Sequence, residues 1–174
     1  MSPEELAQMV VAKLVEIPGI KVERAEFYAD MVLQEALGET DVDQQVEQII
    51  SQAQLGTTAG SAVLSLARGN WAYASLPVDF AQNLGQTLIA AQKLGYLKGR
   101  DAFAADATDN KAVLTFLGSL YGIHLGRIVL RSLTEVAAAK RPRCHLLRPA
   151  ATVIQSALTY TSVPVILNRF WKNV

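Results

Sequence analysis

Residues 149–168 read PAATVIQSALTYTSVPVILN, twenty consecutive positions without a charged side chain. Basic residues flank the stretch on both sides: Arg141, Arg143 and Arg148 precede it, and Arg169 and Lys172 follow. About twenty apolar residues is the length at which a helix can span a bilayer, so this stretch decides between a membrane protein and a water-soluble bundle. Thr152, Gln155, Ser156, Thr159, Thr161, Ser162 and Pro164 lower its mean hydropathy below that of a strong span. The expectation is a buried core helix over about 150–172, kinked at Pro164. Two other readings stay open: a transmembrane span, and a helix that is buried in solution and partitions into a bilayer surface.

The segment before this helix, 141–149, reads as a basic linker. Lys140, Arg141, Arg143 and Arg148 fall within nine residues, beside Leu146 and Leu147. Near an anionic membrane each cation is worth about 1 kcal/mol, fading within a Debye length. The two leucines could insert beside them. The alternative is a solvated linker that pairs with acidic helices elsewhere. Phe170 and Trp171 sit between Arg169 and Lys172, an arrangement that resembles an interfacial anchor. The competing reading docks the same helix end on the core. Nucleic acid is not an expected partner, because no stacking aromatics interleave the bases.

Helix signals fill the rest of the chain. Ser2 caps a first helix, with Pro3 at its first position and Glu4 and Glu5 at the positive end of its dipole. Leu6, Met9, Val10, Leu14 and Ile17 follow helical spacing, and Pro18-Gly19 ends the run. A second helix is expected over about 22–37, with Phe27, Met31 and Val32 inward and Gly38 as its stop. Asp41 with Gln44 opens a third, carrying Val42, Val46, Ile49 and Ile50. Gly56-Thr-Thr-Ala-Gly-Ser-Ala62 then reads as a break before a helix ending near Gly69, and Ser75-Leu-Pro77 as the start of the next, carrying Phe80, Leu84, Leu88 and Ile89 to about Gly95. Two more pieces follow Asp109, before and after Gly122. Small residues in 56–75 and 112–126, including Gly118, Gly122 and Gly126, predict close helix–helix contacts.

The chain is 51% hydrophobic and 18% charged, with mean hydropathy +0.21 and no net charge. Disorder needs the opposite composition. The charge is divided unevenly. Residues 1–47 carry eleven acids and three bases, a net −8, and residues 48–174 carry thirteen bases and five acids, a net +8. Poles of this kind steer encounters with charged partners, unless the acidic segment packs across the basic one. The one cysteine, Cys144, excludes an intramolecular disulfide. The N-terminus lacks the basic start and apolar run of a signal peptide, so the expected location is cytoplasmic, with placement at the inner face of the membrane if the basic segments meet lipid.

Pairs that could carry chemistry have simpler structural readings. Cys144-His145 are adjacent and lack an orienting third group. His124 has core-like neighbours. Asp106 and Asp109 suit helix capping better than paired-carboxylate catalysis. No glycine-rich phosphate fingerprint is present. We therefore expect no catalytic residues, no cofactor and no metal site.

Taken in order, several pieces resemble the EcsC protein family: Ile17-Pro-Gly-Ile20, Ile49-Ile50-Ser-Gln52, Gly56 to Leu64 leading to Ser75-Leu-Pro-Val-Asp79, Gln86 to Gly95, and Asp109 to Gly118. The resemblance spans roughly 17–126, and departs from the family where Arg68, Gly69, Asn70 and Trp71 replace a glycine-rich apolar run. It implies a helical fold and membrane association, and supplies no catalytic residues. The expected fold is an all-α bundle of about seven or eight helices in a single domain. Acidic helices fill 1–54 and a small-residue helical hairpin lies within 55–140, followed by the linker and the C-terminal helix. The expected function is non-enzymatic, either peripheral membrane association or a regulatory role linked to a membrane. The alternative is an interaction module acting through a protein partner or self-association. Anionic lipid or an acidic partner would meet Lys140, Arg141, Arg143, Arg148, Arg169 and Lys172, and Leu146, Leu147, Phe170 and Trp171 would supply apolar contact.

Overall fold

A computed structural model describes residues 9, 11–38, 41–65, 70–103, 116, 118–120, 122 and 147–174. Every regular element among them is helical, and no strand occurs. Four helices have placed ends: α1 (Arg24–Ala36), α2 (Val42–Ser65), α3 (Asn70–Leu97) and α4 (Leu147–Asn173). Residues 11–15 and 118–120 belong to two further helical stretches.

One expected break is absent among the described residues, and one expected helix start lies earlier in the chain. The small-residue segment at Gly56 does not interrupt α2, which continues to Ser65. Glycine weakens a helix interior by about 1 kcal/mol relative to alanine. Here the missing side chain is used: a Cβ on Gly56 would stand 3.3 Å from Oε1 of Gln86 on α3. Thr57 beside it is fully buried and returns its hydroxyl to the Ala53 carbonyl at 2.8 Å. Close approach of α3 offsets the lost propensity. Pro77 likewise lies inside α3 rather than at its start. At Gly118 and Gly122 a Cβ would meet nothing within 4 Å among the described residues. Gly126 lies outside the described residues.

α2 is the central element, packed against both α3 and α4. Its inward side carries Val46, Ile50 and Ala53, against Leu88, Ala91 and Leu94 of α3 and Val163, Ile166 and Leu167 of α4. The first helical stretch turns a different side inward than its spacing predicted. Val11 and Val15 are buried, while Met9 and Ile17 are exposed. Leu14 belongs to both sets, so a small rotation exchanges one stripe for the other.

α1 is attached differently. None of its residues is buried, and Val32, expected inward, is 64% exposed. What holds this region is polar. Buried Gln92 of α3 donates from Nε2 to the Ile20 carbonyl at 2.8 Å, and its Oε1 accepts from the Val22 amide at 3.1 Å. The Tyr96 hydroxyl donates to the Val22 carbonyl, and the Tyr28 hydroxyl donates to the Tyr96 carbonyl at 2.7 Å. Gly38, with φ +88°, stops the chain after α1 as expected, since only glycine adopts that conformation at little cost.

Burial raises the Tyr96 phenol above its ordinary value near 10, and the Asp101 carboxylate acts in the same direction. The folded state therefore keeps the proton longer than the unfolded chain. The associated stability is intact below about pH 10 and is lost as pH rises through the folded value. Chemical denaturation across this alkaline range should show a steeper loss of stability for the native chain than for Tyr96→Phe. Equal slopes would remove the linkage.

Candidate functional site

The charge-free sequence becomes a helix with two unlike faces. Thr159, Val163, Ile166, Leu167 and Phe170 are buried against the core. Opposite them, Ile154, Leu158, Thr161, Val165, Asn168 and Lys172 recur at spacings of four and three, which aligns them along one side of the helix. All six are exposed. Ile154 is 48% exposed, Leu158 42% and Val165 65%, and Val153 beside them 67%. Isolated exposed apolar residues are ordinary; here three share one side of a helix, with Thr161 between Leu158 and Val165. The core-helix expectation therefore holds for one face only. No helix among the described residues is long and apolar enough to cross a membrane.

Phe170 requires a correction. It is only 2% exposed, so it does not serve as an outward apolar contact. Its ring stacks on Phe103 at 5.5 Å, and Phe116 tilts against it at 5.6 Å. Trp171 is half-buried. The Lys98 ammonium lies 4.5 Å from its ring centroid and donates to its backbone carbonyl. Arg169 and Lys172 are exposed, as a contact role needs. Leu147 and Arg148 open α4, which begins earlier than expected and takes in the end of the predicted linker. Lys140, Arg141, Arg143 and Leu146 lie outside the described residues, as do Cys144, His145, His124, Asp106 and Asp109.

Two cations that the sequence did not single out join this helix end. Arg100 donates from Nη1 to the Val174 carbonyl at 3.0 Å, and Lys98 reaches Trp171 from the same turn. Arg24 donates to the Gly99 carbonyl at 3.4 Å and lies 5.9 Å from the Tyr96 ring. The local pattern Gly95-Tyr-Leu-Lys-Gly99 announces only a turn; its place against the α4 terminus is set by tertiary packing.

The acidic and basic segments do not neutralise each other through ion pairs among the described residues. The pairs present, Lys21–Glu23 at 3.0 Å and Lys21–Glu16 at 3.8 Å, are internal to the acidic segment. They raise the Lys21 ammonium, the Glu23 hydrogen bond first. A groove of about 320 Å³ lies along α1, lined by Glu23, Glu26, Asp30, Phe27, Ile89 and Lys93. Among the described residues no group of three or more histidine, cysteine or acidic side chains is arranged to hold a metal ion. Comparison with protein-family models, curated proteins and solved structures found no match to this chain.

The two sides of α4 should respond oppositely to truncation. Phe170→Ala should cost about 3–5 kcal/mol, the range for emptying a packed aromatic site. Arg169→Ala and Lys172→Ala should each stay within about 0.5 kcal/mol of the native chain. Urea unfolding followed by circular dichroism reads both, and comparable losses at all three positions would contradict the assigned burial.

Proposed function

We propose that this protein is a non-enzymatic helical protein that associates peripherally with an anionic membrane surface through the outer face of α4. The observation that carries the proposal is the exposed row Ile154, Leu158 and Val165, ending in Lys172 with Arg169 beside it. An amphipathic helix lying in the interface buries such a row while its cations meet lipid headgroups. The EcsC resemblance points to the same kind of association.

Magnitudes set the strength. Val153, Ile154, Leu158 and Val165 are about half to two-thirds exposed, so immersing them yields about 1 kcal/mol each. Two cations at an anionic surface add about 1 kcal/mol each. A total near 6 kcal/mol corresponds to a dissociation constant of about 10⁻⁴ to 10⁻⁵ M, comparable to one myristoyl chain. That is reversible attachment. The cationic segment 140–148 adds charge close to the start of the same helix.

Co-sedimentation with vesicles tests this. Binding to phosphatidylcholine–phosphatidylglycerol vesicles at low salt should fall at least tenfold in Ile154→Glu/Val165→Glu and weaken with added salt. No binding at low salt, or binding unchanged in that variant, would overturn the proposal.

One observation favours a second reading, self-association between unlike poles. α1 exposes Val32, Leu33 and Leu37 beside Glu26, Asp30 and Glu35, which could meet the basic, apolar face of α4 on another copy. Light scattering through a salt series should then show a dimer that dissociates as salt rises; a monomer at every concentration and salt would exclude it.

A further inference from the structure

We propose that α4 is hinged between Tyr160 and Pro164, and that the Gln54 side chain of α2 is the latch that holds its N-terminal arm, residues 147–160, against the body. Pro164 lies inside α4. Proline has no backbone N–H, so the carbonyl four residues earlier, that of Tyr160, loses its helical donor, and the ring crowds the same carbonyl. Gln54 supplies the missing bond. Its Nε2 donates to the Tyr160 carbonyl at 2.6 Å, from 106 positions away in the sequence.

Two hydroxyls loosen the turn before the proline. Thr161 donates from Oγ1 to the Ala157 carbonyl at 2.9 Å, and Ser162 donates from Oγ to the Leu158 carbonyl. In a regular helix each of these carbonyls accepts from the backbone amide of that same residue. Side-chain bonds of this kind compete with the helical ladder and bend it. The carbonyls of Ala157, Leu158 and Tyr160 are therefore all bonded by side chains, within one turn.

The burial of α4 changes at the same place. Beyond Pro164, Ile166, Leu167 and Phe170 are buried, and Phe170 is enclosed by Phe103 and Phe116. Before Thr159, the side chains of Val153, Ile154, Ala157 and Leu158 are exposed. Apolar packing fixes the C-terminal part. The bond from Gln54 is open to solvent, so water can replace it at small net cost. It can break without unfolding the core. The arm then moves on the turn at 160–164 while Phe170 keeps the helix end in place. At a bilayer, this freedom lets Ile154 and Leu158 follow the surface. That use of the hinge rests on the membrane reading; the hinge itself does not.

Distances between paired spin labels test the hinge in a Cys144→Ser background. One label goes on α2 through Glu47→Cys. The other goes on the arm through Ile154→Cys, or beyond the proline through Asn168→Cys; all three positions are exposed. The pair that includes the arm should show a second, displaced population. Gln54→Ala should raise that population about threefold to tenfold relative to the docked one, the effect of losing one hydrogen bond. Pro164→Ala returns an N–H to the Tyr160 carbonyl. It should remove the displaced population and leave Gln54→Ala without effect. The pair that ends at position 168 should keep one narrow distance in every variant.

Equal broadening of both pairs in Gln54→Ala would reveal a general loosening and overturn the hinge. A single arm distance in every variant would overturn it too. Vesicles of phosphatidylcholine and phosphatidylglycerol should favour the displaced population. An arm that opens in solution and ignores those vesicles supports the hinge, and only its use at a membrane then fails.

Discussion

The packing of α2 against α4 decides which apolar side chains enter the core and which stay outside. α4 carries no charge between Arg148 and Arg169, so apolar side chains occupy most of its circumference. A helix can present only part of that circumference to one neighbouring layer. Leu167 and Phe170 are taken into the core, where the rings of Phe103 and Phe116 close around the helix end. Ile154, Leu158 and Val165 remain outside. The burial that stabilises the bundle and the exposed apolar row are consequently two sides of one element. A change that rotates α4 would alter both.

Electrostatics assigns the two ends different roles. The acidic segment stays on the body through Gln92, Tyr96 and Tyr28, whose bonds go to backbone groups. Hydrogen bonds of this kind fix position without consuming charge, so Glu26, Asp30 and Glu35 face solvent. Lys98 and Arg100 donate to main-chain oxygens of Trp171 and Val174 at the end of α4. Among the described residues no ion pair joins the acidic segment to the basic one. α1, with no buried residue and an apolar side open to water, has few contacts to resist local opening.

Much of the helical architecture was legible in the chain, because capping and stop signals act locally. Gly38 and the charge-free length of α4 needed no tertiary information. Gly56 misled for the opposite reason. Its cost of about 1 kcal/mol is met by the approach of Gln86, which uses the missing side chain; nothing described explains Pro77 inside α3. The first stretch was misread because Leu14 fits two stripes equally and only the core selects Val11 and Val15. For the candidate site, spacing alone singled out Arg169 and Lys172, which are exposed, but it could not separate Phe170 from Trp171. Consecutive residues on a helix point about 100° apart, so one enters the aromatic cluster and the other reaches the surface. Lys98 and Arg100 lie about seventy residues away in sequence from their partners, beyond any local pattern.

The charges at the ends of α4 also restrict what can cover its outer face. Arg148 stands at one end, Arg169 and Lys172 at the other, and the helix contains no acidic residue. Parallel pairing with the same helix from a second copy would oppose Lys172 to Lys172. Like charges directly opposed cost energy, and the row itself contains Thr161 and Asn168, which add little to an apolar seam. A favourable partner must combine apolar depth with negative charge along its rim. An anionic bilayer meets that requirement without any matching of shape, whereas a protein partner would have to meet it with a face such as the acidic, apolar side of α1. On the proposed reading, the row and its cations restrict the chemistry of any surface that covers them, and an anionic bilayer makes the least demand on complementarity.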